Sequence, residues 1–248
     1  MGACLFPASA SSAPAECAAE RIDEQAVVDS VTDGDTVRLS DGRQVRIIGL
    51  NTPELGRDGA PDEPFAQAAR QSLQRLIASA DGRVGLQIGR EARDNYDRLL
   101  AHLYLPDGRN ITERLLERGY GLRVVVPPNL AHQRCYARAE AAARAADRGV
   151  WTEPRFLGVP ADRLPADAGG FAVVTGRIIR VGESRSAFWL ELDGKLTLRL
   201  PKNDLPYFDG EPQRREGQRL RVRGWIYRVD DEPRMNLRHP AAVEWLSG

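Results

Sequence analysis

An Asp-Gly pair between two alternating segments is among the strongest short hairpin signals a chain can carry, and here it is Asp41-Gly42. Thr36 to Ser40 alternates on one side and Gln44 to Leu50 on the other, so the two are expected to pair antiparallel. With a loop of those two residues, Asp35 faces Ile48 and Val37 faces Arg46. Side chains repeat every second residue, which puts Asp35 and Arg46 on one face as diagonal neighbours. A longer loop would shift that register. Pro53 ends the second strand and leaves Asn51, Thr52 and Glu54 beside it. One end of the hairpin therefore gathers carboxylates, an amide, a hydroxyl and a guanidinium, a set suited to a hard cation and a phosphate together.

Three spaced motifs follow one another: Asp33-Gly34-Asp35-Thr36-Val37, Arg46 with Thr52-Pro53-Glu54, and Asp94-Asn95-Tyr96-Asp97-Arg98-Leu99-Leu100-Ala101. Together they resemble the thermonuclease, or staphylococcal nuclease-like, family of calcium-dependent phosphodiesterases. Pro128-Asn129, the helix around Glu140 and Gly149-Val150-Trp151 extend the match, which runs from about Gln25 to Trp151. The resemblance implies Asp35, Asn51 and the Thr52 carbonyl as Ca2+ ligands and Glu54 as the carboxylate that activates water. It implies Arg46 and Arg98 as the phosphate-binding catalytic pair and Tyr96 as a substrate contact. The chemistry of the residues agrees, since a carboxylate can orient water and two guanidiniums can brace a phosphorane. Implied substrates are DNA and RNA. Asn51 stands where relatives most often have aspartate, the loop after Glu54 is net acidic, and Val124 and Val126 replace tyrosines before Pro-Asn. The resemblance also suggests a cis bond at Pro128.

The order of three strands, helix, two strands, helix and helix fits a five-stranded OB-fold barrel with three helices over residues 24–152. Phe65, Ala69, Leu73, Leu76 and Ile77 recur at helical spacing, Asn110 with Glu113 marks a capped start, and a last helix is expected to turn Cys135, Ala139, Ala142 and Ala146 inward. Residues 153–170 are rich in Pro and Gly and read as a linker. Residues 171–248 read as a second, smaller OB-like β-barrel domain. Its Phe188, Trp189, Trp225 and Tyr227 lie among Arg199, Arg221, Arg223 and Arg228, a mixture read as barrel packing and solvation in preference to a clamp on single strands.

Charge narrows the mode of binding. Basic and acidic residues number 35 each in the 248-residue chain, and 18 each between Glu24 and Trp151. Attraction for phosphate must come from a few aimed arginines and not from a basic surface. No apolar run approaches a membrane span. Residues 1–23 are Ala-, Ser- and Pro-rich and read as a secretion-signal remnant or a disordered arm, with Cys4 as a candidate lipid anchor. Relatives of this type are often exported, which makes a disulfide between Cys17 and Cys135 the expected pairing, with two buried free thiols as the alternative. The expectation is thus an exported monomeric enzyme, periplasmic, envelope-anchored or secreted. The competing expectation is a non-catalytic nucleic-acid-binding OB-fold protein of the cell envelope.

Overall fold

A computed structural model describes residues 17–56 and 59–247. Cys4 and the rest of the signal-like start, with Arg57 and Asp58 of the acidic loop, lie outside the described residues. The first barrel is built from β1 (Glu24–Val31), β2 (Thr36–Leu39), β3 (Gln44–Ile47), β5 (Arg83–Arg93) and β6 (Leu99–Tyr104), in the closed order β1-β2-β3-β6-β5. A short β4 (Leu50–Asn51) pairs with β7 (Leu122–Arg123) beside it. Helix α1 (Ala66–Ala78) buries Ala69, Leu73, Leu76 and Ile77 as their spacing predicts, together with Ala66. Phe65, expected on the same stripe, instead precedes the helix at φ 71° and packs half-buried against the apolar cluster around Trp151. In α2 (Ile111–Glu117) the Asn110 side chain accepts from the Glu113 amide and caps the helix. In α3 (Gln133–Ala145) the buried residues are Cys135, Tyr136, Ala139, Glu140 and Ala143. The inward face is therefore rotated from the alanine stripe expected, because Tyr136, not Ala142 or Ala146, fills the space over the barrel.

The hairpin register also differs from the two-residue loop. Leu39 N–H donates to the Arg43 carbonyl and Gly42 N–H to the Leu39 carbonyl, each at 2.9 Å. The loop is Ser40 to Gly42, with Gly42 at φ 92°, the left-handed position that a three-residue hairpin loop needs. Thr36 then pairs with Arg46 and Val37 with Val45, so Val37 and Val45 both reach the core with no exposed surface.

Cys17 and Cys135 are bridged, with Cα atoms 5.6 Å apart and 118 residues between them in sequence. In the chain-entropy model such a loop contributes roughly 4–5 kcal/mol. Behind the bridge lies a polar network: Tyr136 Oη meets His102 Nδ1 at 2.8 Å and receives Asn110 Nδ2 at 3.0 Å. Burial holds His102 down to about 3, with His132 alongside pushing the same way. The folded protein thus keeps His102 neutral while the unfolded chain takes a proton below about 6.5. Stability from this residue is full above about 6.5 and is lost as pH falls toward 3, by up to about 1.4 kcal/mol per pH unit. Urea unfolding of wild type and His102→Gln across pH 7 to 4 checks this. The difference between the two curves is expected to carry that slope, and parallel curves would contradict it.

The second barrel has β9 (Gly170–Glu183), β10 (Ala187–Leu192), β11 (Thr197–Pro201), β12 (Arg219–Val229) and β13 (Glu232–Asn236), closed by β9 against β12. Its strand order repeats that of the first barrel, and in both the third strand runs parallel to the fifth, β3 with β6 and β11 with β13. A further strand, β14 (Val243–Leu246), extends β12.

The stretch read as a linker is ordered and packed. It forms α4 (Pro154–Leu157) and β8 (Val159–Pro160), which pairs parallel with β9. Ala161 enters the second core, and Phe156 joins Leu122, Ala143, Val150 and Trp151 of the first barrel with Val173 of the second in a shared apolar cluster. Across this seam Arg223 Nη1 donates to Glu140 Oε1 at 2.6 Å, and Glu244 Oε2 receives Arg144 at 3.1 Å and Arg221 at 2.6 Å. The prolines here preset a tight path; they do not mark a free tether.

Candidate active site

Asp33, Gly34 and Asp35 form the bend that enters β2. A Cβ on Gly34 would stand 2.7 Å from Ala69 Cβ and from Thr52 Oγ1, so glycine lets α1 and the segment after β4 close over this bend. Asp35 stands in this bend just before β2, its carbonyl accepting the Ile47 amide at 2.8 Å. Its Oδ2 forms an ion pair with Arg46 Nη2 at 3.0 Å. The same oxygen takes Thr52 N–H at 2.8 Å and Thr52 Oγ1 at 3.2 Å, while Oδ1 takes Thr36 Oγ1 at 3.2 Å. Arg46 is itself pinned, with Nη1 on the carbonyls of Ile47 (3.1 Å) and Leu50 (2.9 Å) and Nη2 on Asn51 Oδ1 (3.1 Å). The predicted residues Asp35, Arg46, Asn51 and Thr52 are thus brought into direct contact.

Two carboxylates, Asp33 and Asp35, are buried here, and Asp33 Oδ1 accepts the Asp35 amide at 3.0 Å. Burial pushes the Asp35 carboxyl above its usual range, against the pull of Arg46, and Asp33 adds to the rise. Two buried carboxyl groups thus stand against one guanidinium, an arrangement that a bound cation would favour in its ionised form. The nearby donors are all oxygens: the carboxylates, Asn51 Oδ1 and the Thr52 carbonyl. That set fits a hard divalent ion and does not fit a soft one. Among the described residues no three acidic, Cys or His ligand atoms converge here; the one such group is Cys17, Cys135 and Glu113 at the disulfide.

Arg46 and Arg98 line one cleft of about 400 Å³, with Leu50, Asp94, Val124 and Asn129 among its walls. Arg98 is carried by the β5–β6 loop and held by Asp94, which accepts Nε at 2.8 Å and forms an ion pair with Nη2 at 2.7 Å. Glu54, two residues past Thr52, is exposed, and its amide donates to Glu63 Oε2 at 2.9 Å. Tyr96 is 82% exposed and packs under Arg98, 5.5 Å from ring centre to guanidinium carbon; Glu54 and Tyr96 both lie outside the lining of this cleft. The Pro127-Pro128 bond is cis.

A family model described as staphylococcal nuclease homologue matches residues 44–153. Over 131 residues the chain is 30% identical to a thermonuclease of Staphylococcus intermedius, which covers 52% of this chain and 76% of that protein. The chain belongs to the staphylococcal nuclease family. A thermonuclease of Staphylococcus hyicus is 29% identical over 49% of this chain and 72% of its own length. The endonuclease YhcR of Bacillus subtilis strain 168 is 28% identical over 52% of this chain but only 11% of its own length. The staphylococcal nuclease match leaves the second barrel out.

That second barrel nevertheless reaches the cleft. Trp225 and Arg238 complete its wall, so Trp225 does more than pack and solvate its own barrel. Its sequence signal was present, an aromatic at an outward position between buried Gly224 and Ile226. Which surface that position faces depends on how two barrels dock, and local pattern does not carry that.

Proposed function

We propose that the chain is a calcium-dependent endonuclease that hydrolyses phosphodiester bonds in DNA and RNA, with residues 24–152 as the catalytic unit. The observation that carries this reading is the Asp35–Arg46–Asn51–Thr52 cluster at the edge of a cleft that also holds Arg98. Glu54 orients a water and takes its proton as the oxygen bonds to phosphorus and the bond to the leaving oxygen breaks. Arg46, locked by two carbonyls and Asp35, and Arg98, locked by Asp94, donate to the equatorial oxygens. Their contribution grows as charge develops, because they need no reorganisation at that moment. Asp35, Asn51 Oδ1 and the Thr52 carbonyl would hold Ca2+. When bound, the ion supplies polarisation of a phosphate oxygen and of water. Tyr96 and the exposed rim beside Arg98 are assigned to the flanking nucleotide. Work outside the cytoplasm is supported by the Cys17–Cys135 bridge. Among the described residues no helix is long and apolar enough to cross a membrane.

The reading is tested on a defined oligonucleotide by mass spectrometry of the products. Internal cuts leaving 3′-phosphates are expected. Shortening only from one end, or intact substrate, would contradict it.

Asn51 sets the metal affinity. An amide oxygen carries no full charge, and here it already accepts from Arg46. Calcium binding is therefore expected in the range of roughly 10⁻⁴ to 10⁻³ M. Asn51→Asp is expected to tighten it and to lower the calcium needed for half-maximal cleavage. Calorimetric titration of both proteins decides, and unchanged affinity would remove residue 51 from the metal shell.

A further inference from the structure

The cleft that holds Arg46 and Arg98 is continuous with a second hollow of about 250 Å³. Val124, Val126, Trp225 and Arg238 border both, and Phe171 and Tyr227 extend the hollow along the second barrel. A pair of arginines thus opens onto a hollow of aromatic and aliphatic side chains with Arg123 and Arg223 also in its lining, a mixture that matches the split chemistry of a nucleotide: an anionic phosphate joined to a flat base. Trp225 is 44% exposed, yet it is not loose. Phe171 packs edge-on against the indole at 5.1 Å and 75°, and β12 pairs the two residues across the ladder. Arg238 is fixed as well, its Nε donating to Asp204 Oδ2 at 2.6 Å and its Nη2 to the Pro127 carbonyl of the first barrel at 3.4 Å. A rigid indole left open beside a phosphate site is a stacking platform for a base.

We propose that Trp225 stacks on a nucleobase next to the phosphate held by Arg46 and Arg98, so that the second barrel completes the substrate site. This rests on the phosphodiester reading of those two arginines. In a duplex the faces of each base are covered by its neighbours, so only an unpaired or flipped base can reach the indole. The preferred substrate is therefore single-stranded nucleic acid. Every base has a π-face, so the preference among bases is weak.

The test is binding, so that cleavage is not required. Anisotropy of a labelled single-stranded oligonucleotide is followed with the full-length protein in EDTA. Trp225→Ala is expected to weaken affinity by roughly five- to hundredfold, the range of one lost base–aromatic stack. Trp225→Phe is expected to recover most of the loss, and an abasic strand to bind wild type and Trp225→Ala alike. Equal affinity of wild type and Trp225→Ala for the base-bearing strand overturns the proposal, as does a loss that persists on the abasic strand or that phenylalanine does not repair. The nuclease reading fails separately, if wild type binds the strand but leaves it uncut when calcium is restored.

Discussion

Arg46→Ala is expected to lower turnover by at least about a hundredfold and to destabilise the fold at the same time. The guanidinium is the buried counter-charge of Asp35 and also ties the Ile47 and Leu50 carbonyls and Asn51 together. Removing one partner of a buried ion pair typically costs about 3–5 kcal/mol, less whatever protonation of Asp35 recovers. Arg46→Lys separates the two roles. A lysine keeps the charge beside Asp35 and so most of the stability, but it cannot fork onto phosphate oxygens, so turnover stays low. Urea unfolding and single-turnover cleavage of an oligonucleotide measure the two effects. Full activity in Arg46→Lys would show that the fork plays no part in the transition state.

Glu54→Gln is expected to reduce turnover by a similar factor with almost no change in stability. Glu54 is itself exposed, and glutamine keeps its size and hydrogen-bonding reach, so even the loss of an exposed ion pair would cost no more than about 1 kcal/mol. The amide keeps the shape but cannot accept a proton from water. A kcat loss with unchanged KM is the expected signature, because the group acts on the transition state and not on substrate binding. Near-wild-type turnover would remove Glu54 from the mechanism.

Much of the site was legible in the residues, for uneven reasons. The Asp35–Arg46 pair was expected from a register that the hairpin does not adopt. It forms regardless, because Asp35 sits in the bend just before β2, next to Thr36, which pairs with Arg46. Gly42 does not decide the register: a glycine with positive φ serves two- and three-residue loops alike, and Asp41-Gly42 alone does not distinguish them. The face of α3 was displaced because alanines have little volume, and the large Tyr136 chose the inward side. The second barrel's strands could be read from alternation, and its strand order turned out to repeat the first. What local pattern could not carry was the docking of the two barrels. The Glu140–Arg223 pair, Phe156 in the shared cluster and Trp225 at the cleft each join residues far apart in sequence, and nothing in the neighbourhood of any one of them names its partner.

The central claim is that oxygen donors around Asp35 hold a hard cation without which the phosphodiester is not cut. The most direct measurement is cleavage of single-stranded DNA by the purified full-length protein, first with a chelator, then with calcium restored, in wild type and Asp35→Ala. The account predicts no cleavage with chelator, recovery of wild type by calcium at roughly 10⁻⁴ to 10⁻³ M, and no recovery of Asp35→Ala at that concentration. Cleavage that persists under the chelator, or an Asp35→Ala protein that recovers as wild type does, would contradict it.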